Sequence, residues 1–239
     1  LGLAGVYSVM ALMNAAALTS LVRLRRHQVA AASGQRVVAR GGSWAHMAEG
    51  LRYVASAPLL RTLLLMGLFP VLFTLPLSAL LPILVARVYE SGPGVLGVLS
   101  ACLGLGALGG SIVGAGLATH KRPVEIQLAI GVGLGSGLVA LALAPTYWLA
   151  APMVAVIGFC QLLYMVLNNG QIIALADARM HGRVTSVSML RFSMSPMAIL
   201  AATWQADVIG PRSTVLLGGA VTIAGMVLFR GLTRTRKSS

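Results

Sequence analysis

The sequence contains a series of long apolar runs, each able to cross a lipid bilayer. A helix needs about 20 apolar residues to span a hydrocarbon core of roughly 30 Å. Seven segments reach that length, near residues 1–22, 59–86, 95–118, 125–144, 147–175, 183–206 and 213–230. Backbone polar groups in lipid must pair within their own segment, so these runs predict an all-α polytopic membrane protein with seven transmembrane helices.

The distribution of charge predicts the orientation of these helices. Only 10% of the residues are charged, and 18 Lys and Arg against 5 Asp and Glu leave a net charge of +13. In a soluble domain this excess would indicate nucleic-acid binding. Here fifteen of the basic residues lie in loops and a tail on one side of the predicted membrane, so we expect no nucleic-acid partner. The positive-inside rule then predicts a multi-pass protein of the cell (inner) membrane with a cytoplasmic C-terminus and residue 1 outside.

The chain begins within an apolar run, without an initiator Met or a charged leader, so we expect a fragment. In this interpretation, residues 1–22 are the last helix of a missing N-terminal half, which would be a partner of this chain within the same protein. Residues 23–58 are a cytoplasmic linker, 59–230 a six-helix C-terminal bundle and 231–239 a basic cytoplasmic tail. Within the linker, an interfacial helix is predicted from apolar residues at helical spacing, namely Trp44, Met47, Leu51 and Val54.

The six later helices fall into two groups of three that enter the membrane from opposite sides. Inverted three-helix repeats are typical of secondary transporters, which hold their cargo near the bilayer midplane. Two of the helices carry polar faces at helical spacing: Gln161, Tyr164, Asn168 and Gln171 on the first, and Thr185, Ser188, Arg191 and Ser195 on the second. Thr74 and Ser78 add a smaller polar face to an earlier helix. These faces predict a wet interior, with interhelical hydrogen bonding as the alternative.

Eight of these residues are predicted to line a substrate cavity for a small-molecule cargo: Thr74, Ser78, Gln161, Tyr164, Asn168, Ser188, Arg191 and Ser195. Arg191 is the only basic residue deep in a span, at a depth comparable with Gln161. A lipid-facing charge there would cost about 2.5–3.5 kcal/mol. Arg191 therefore either points inward, to Gln161, water or an anionic cargo, or extends back toward the inner headgroups.

Glycine and proline residues predict how the helices pack and bend. Gly106, Gly110 and Gly114 recur at every fourth position, which lets two backbones approach closely, either as static packing or as a sliding face. Pro70, Pro76 and Pro82 lie in one span and predict a bent helix, which is either statically curved or a hinge.

Several kinds of chemistry have no candidate residues. All four histidines lie in predicted loops, no acid lies in the middle of a span, and no P-loop motif is present. The two cysteines lie inside apolar runs, and the glycine run at 131–137 lacks the strand that a dinucleotide site requires. We therefore expect no enzyme activity, no cofactor and no metal site.

Several short motifs resemble major facilitator superfamily transporters, specifically the branch that includes enterobactin exporters. They are Glu49-Gly-Leu-Arg-Tyr-Val with Pro58-Leu-Leu-Arg61, Gly114 to Ala118 with Lys121-Arg122, Asn168-Asn169 with Gln171, Gly182-Arg183-Val184 with Ser186, and Asp207 to Arg212. The resemblance aligns the chain with helices six to twelve. Thr119 or His120 stands where the superfamily's loop motif has an acid.

The resemblance implies efflux of small amphipathic molecules, such as drugs or siderophores, driven by an ion gradient. Conformational or gating roles are expected for Gly106, Gly110, Gly114, Lys121, Arg122, Asp177 and Arg183. A coupling carboxylate would have to lie in the missing half. The alternative is a non-transporting membrane scaffold or a seven-helix receptor module.

Overall fold

A computed structural model describes residues 57–117, 123–177 and 180–235, together with Ala15, Thr19, Arg52 and Ala55. Throughout this part of the chain the secondary structure is helical, without strands. Six segments are long and apolar enough to cross a membrane: Pro58–Arg87, Pro93–Leu117, Val124–Leu143, Tyr147–Leu175, Val184–Val208 and Pro211–Gly231. These agree with the last six predicted spans. The predicted helix at 1–22, the interfacial helix in the linker, and Lys121 and Arg122 lie outside the described residues.

The first span is broken into two helices, α1 (Pro58–Phe73) and α2 (Leu77–Arg87). Pro76 at the break has no N–H group, so no hydrogen bond can run from it to the preceding turn. The N–H groups of Thr74 and Leu75 both bind the carbonyl oxygen of Pro70, at 2.9 and 3.0 Å. Of the three prolines that predicted a bent span, Pro76 thus lies at the break, while Pro70 and Pro82 lie within α1 and α2.

The next three spans are continuous helices: α3 (Pro93–Leu117), α4 (Pro123–Leu143) and α5 (Tyr147–Leu175). α3 packs along α5, and a Cβ atom at Gly106 or Gly110 would overlap a backbone carbonyl of α5. Gly114 lies against the Val166 and Leu163 side chains of the same helix. The three glycines therefore form a close helix contact, which is the packing role that their spacing predicts.

The fifth span is interrupted near its middle. It comprises α6 (His181–Leu190), a 3₁₀ segment (Arg191–Met194) and α7 (Ser195–Val208). Pro196 cannot donate to Phe192, and its ring would clash with that carbonyl in a regular α-helix. Instead, the Ser195 N–H binds the Phe192 carbonyl in the tighter 3₁₀ pattern.

The last span, α8 (Pro211–Thr235), follows a turn at Gly210, whose φ of +88° favours glycine. α8 packs along α4, and α4 also packs along α5. The largest buried apolar cluster includes Leu77, Leu84, Leu99, Leu138 and Ile157, and a smaller one includes Leu60, Leu63, Ile172 and Val184.

Candidate functional site

A cavity lies beside the break between α1 and α2. It has a volume of about 170 Å³ and is lined by Thr74, Leu75, Leu77, Ser78, Leu103 and Gln161. We refer to it as the break cavity. Its walls come from three spans, because Leu103 belongs to α3 and Gln161 to α5. Thr74 lies in the break itself and Ser78 near the start of α2, and both border the same space.

The polar groups of the break cavity differ in how they are paired. The Ser78 hydroxyl donates to the Leu75 carbonyl at 2.9 Å, which leaves its oxygen able to accept. The Thr74 side chain is 1% exposed, and its hydroxyl has no hydrogen-bond partner among the described residues. The Gln161 side chain is partly buried. The cavity thus offers donors and acceptors without a charged side chain.

A second polar cluster surrounds Arg191, at the start of the 3₁₀ segment. Its two terminal guanidinium nitrogens donate to the side-chain oxygens of Asn168 and Asn169, each at 2.5 Å. Asn168 in turn donates to the Leu63 carbonyl of α1 at 2.9 Å. Arg191 is 7% exposed, and its Nε has no partner among the described residues. We refer to Arg191, Asn168 and Asn169 as the arginine clamp.

Gly67 makes room for the arginine clamp. A Cβ atom at this position of α1 would overlap both the Arg191 guanidinium and the Asn168 side-chain oxygen. The guanidinium therefore occupies the space that a side chain at position 67 would fill. The clamp joins the first, fourth and fifth described spans at one level, through a buried cation with no carboxylate bonded to it in the described ranges.

The eight residues predicted to line a substrate cavity lie in different surroundings in the structure. Thr74, Ser78 and Gln161 line the break cavity. Tyr164 is fully buried and donates to the Met66 carbonyl at 2.9 Å, while Asn168 and Arg191 belong to the arginine clamp. Ser188 is buried and Ser195 begins α7. In this conformation, Tyr164 and Asn168 thus make the interhelical bonds that were the alternative to a wet face.

Of the partners predicted for Arg191, Gln161 is not the one that the structure shows. The guanidinium binds Asn168 and Asn169, and it is buried, as the inward-pointing alternative predicted. Seven residues along an α-helix correspond to about 10.5 Å, so Asn168 and Gln161 face different depths of the bundle. Arg191 lies eight residues past Arg183, which is about 12 Å along the helix. Gln161 lies fourteen residues before Leu175, which is about 21 Å, so the assumption that the two residues share a depth was the error.

The sequence interpretation did not anticipate the positions of Gly67 and Asn169 in the arginine clamp. It also did not anticipate that Gln127, near the start of α4, is fully buried. Gly67 has no periodic partner in the sequence, so no pattern distinguishes it. The Asn168-Asn169 pair was noticed, but Asn169 does not lie on the predicted polar face.

Charged residues also meet at the end of the bundle that is predicted to lie outside. Arg87, the last residue of α2, pairs with Asp207 near the end of α7 at 2.7 Å. Arg212 donates to the Ala144 carbonyl at 3.1 Å. Nearby, burial raises the pKa of Tyr89, and the positive charge of Arg212 partly opposes this. The ion pair therefore links the first and fifth described spans at this end.

Comparison with known proteins assigns this set of broken and continuous spans to a family. No curated protein and no solved structure shows significant similarity to the chain. The family model described as "transmembrane secretion effector" matches residues 1–237. This match covers nearly every residue and agrees with the six apolar helices that contact the bilayer. The chain belongs to the transmembrane secretion effector family of major facilitator superfamily transporters.

Proposed function

We propose that this membrane transporter exports small amphipathic molecules, drugs or siderophore-like metabolites among them, by alternating access driven by an ion gradient. The break cavity is the observation that carries the proposal. A discontinuous helix beside a polar cavity is the arrangement in which many secondary transporters hold their cargo. Thr74, Ser78 and Gln161 are the residues of this bundle that we expect to contact cargo.

In this proposal the arginine clamp holds helices together rather than binding cargo. Arg191 and Asn168 are buried and bonded to each other within this one bundle. Gly106, Gly110, Gly114, Asp177 and Arg183 are proposed to act in the conformational change, together with Lys121 and Arg122. Alternating access requires two bundles that rock about the cargo, so we propose that a second, N-terminal bundle completes the site.

The second bundle would also supply the coupling group. The described acids Glu90, Glu125, Asp177 and Asp207 lie at span ends or in loops rather than mid-span. Proton coupling usually needs a titratable group within the membrane. We therefore place a coupling carboxylate outside this bundle.

Flux in vesicles tests the proposal. Full-length protein should move amphipathic fluorescent dyes across proteoliposomes when a proton or sodium gradient is imposed, and Gln161→Leu should reduce that flux. Failure to move neutral, cationic and anionic dyes under either gradient would favour the scaffold or receptor alternative. Vesicles with residues 1–239 alone should show no more flux than empty ones. Gradient-driven flux by this piece alone would instead indicate a homodimer.

The proposed orientation has a separate test. In the cell membrane, single cysteines at Ser91 and Thr146 should react with an impermeant thiol reagent from outside. A cysteine at Ser238 should react only from the cytoplasm. The reverse labelling pattern would overturn the positive-inside assignment.

A further inference from the structure

The Thr74 hydroxyl has no hydrogen-bond partner among the described residues, and the helix break explains why. In this bundle Thr62 and Thr203 each donate to the carbonyl oxygen four residues earlier, as threonines in helices commonly do. For Thr74 that oxygen belongs to Pro70, which already accepts the N–H groups of Thr74 and Leu75. A carbonyl oxygen has two lone pairs, so both are occupied. The helix break therefore leaves the Thr74 hydroxyl without its usual acceptor.

An unpaired polar group that is 1% exposed is unfavourable unless something binds it. Burying a hydroxyl without a partner costs about 1–3 kcal/mol, and buried polar groups in proteins are nearly always paired. Since Thr74 borders the break cavity, a bound group in that cavity can pair with it. The Ser78 oxygen and the Gln161 amide lie on the same lining and provide further acceptors and a donor.

The size and charge of the break cavity restrict what that bound group can be. Its volume of about 170 Å³ is slightly larger than the engineered 150 Å³ cavity that accommodates benzene. None of the six lining residues is charged. Arg191, the basic residue deep in a described span, already binds Asn168 and Asn169. A carboxylate would lose its hydration here without gaining a positive partner.

We infer that the break cavity binds an uncharged ring bearing a hydroxyl or primary carboxamide, whose polar group exchanges hydrogen bonds with Thr74 and Gln161. As a statement about cargo, this rests on the proposed transport function. It identifies the part of the cargo that this bundle holds as neutral and hydrogen-bonding rather than acidic. Binding of such a ring can be measured without any transport.

The test uses three small fluorinated probes and the full-length protein in nanodiscs. The probes are 4-fluorobenzyl alcohol, its methyl ether, and 4-fluorobenzoate, followed by ¹⁹F line broadening, with empty nanodiscs as the baseline for partition into lipid. The alcohol should bind, the ether about fivefold more weakly because one donor is lost, and the benzoate not at all. Preference for the benzoate would overturn the inference. Broadening no greater than in empty nanodiscs would do the same and would indicate a cavity that holds only water.

Variants locate the binding in the break cavity. Thr74→Val keeps the side-chain shape and should weaken binding of the alcohol about fivefold. Thr74→Ser keeps a hydroxyl and should bind like the wild type, which also shows that position 74 tolerates change. Thr62→Val, within α1, removes a hydroxyl that is already bonded to Pro58 and should have no effect. Equal binding by wild type and Thr74→Val would refute the assignment.

The transport proposal and the inference of ring binding can be refuted independently of each other. Ring binding at Thr74 without flux of any dye would refute the transport function and still support a ligand site in the break cavity. Flux without ring binding would leave the transporter and remove the break cavity as a cargo site.

Discussion

The substitution Gly67→Ala tests the arginine clamp most directly. The added methyl group would occupy the space of the Arg191 guanidinium and would also overlap the Asn168 side-chain oxygen. Asn168 is fixed by its bond to the Leu63 carbonyl, so the longer Arg191 side chain is the one that can move. If it moves, its bonds to Asn168 and Asn169 are lost.

The size of the effect follows from those two bonds. Hydrogen bonds to charged groups contribute about 1.5–3 kcal/mol each in soluble proteins. Interhelical bonds measured within membranes average about 0.6 and reach about 1.7 kcal/mol. The membrane values apply here, since the reference state also lies in lipid, and they give about 1–3 kcal/mol for the pair. Alanine itself favours a helix over glycine by about 1 kcal/mol, which offsets part of this loss.

A double-mutant cycle separates these contributions. The free energy of unfolding is measured by steric trapping in bicelles for wild type, Gly67→Ala, Arg191→Met and the double variant. The overlap with Asn168 is common to both backgrounds and cancels, as does the helix propensity of alanine. Met fills space without a charge. We expect a coupling energy of about 2 kcal/mol, with Gly67→Ala less harmful in the Arg191→Met background.

Gly116→Ala provides the matched control. Nothing lies within 4 Å of a Cβ atom at Gly116, so this variant should be neutral or slightly stabilising. A coupling energy below about 0.5 kcal/mol between positions 67 and 191 would show that the clamp contributes no stability through those bonds.

Three further predictions concern packing and the outer end of the bundle. Gly106→Ala places a methyl group against a backbone carbonyl of α5 that cannot move freely, and should destabilise the protein by about 1–3 kcal/mol in the same unfolding assay; a neutral result would mean that the helices can separate. The Arg87–Asp207 pair is 57% and 61% exposed, so a double-mutant cycle should give under about 1 kcal/mol, decreasing with salt; salt-independent coupling would contradict this. Burial raises the pKa of Tyr89, although the positive charge of Arg212 partly opposes this, so the folded state favours the protonated form of the tyrosine. Its contribution is complete below the ordinary pKa of 10.0 and is lost as pH rises through the raised pKa. Tyr89→Phe should flatten this alkaline loss in unfolding measurements from about pH 9 to 12, whereas an unchanged slope would assign the loss to other groups.

The membrane spans could be predicted because lipid imposes one requirement on every residue of a span. No water is available to backbone groups, so the run length of apolar residues alone identifies a spanning helix. The close helix contact at Gly106, Gly110 and Gly114 could also be predicted, since their spacing places them on one face of α3. These features depend on local sequence, which is why six spans and one helix contact agree with the structure.

The polar contacts could not be predicted, because they depend on the depth and rotation of helices relative to one another. Arg191 was matched to Gln161 by counting residues from assumed helix ends. The 3₁₀ segment begins at Arg191, so it alters the rotation of the residues that follow and not the depth of Arg191 itself. The space at Gly67 then determines where the guanidinium can lie. The missing side chain of Gly67 thus decides a contact with Arg191, which lies more than a hundred positions further along the chain.

On the proposed transport function, the pairing of the deep polar residues limits how strongly this bundle can select its cargo. Tyr164, Asn168 and Arg191 are bonded to other helices, which leaves the break cavity with hydrogen-bonding groups and no charge. Losing one such hydrogen bond costs about 1 kcal/mol, which is roughly a fivefold change in affinity. Two cargoes of similar shape that differ by one hydroxyl should therefore differ by less than an order of magnitude at this site. Stronger discrimination, or any preference for a charged cargo, would have to come from residues outside the break cavity.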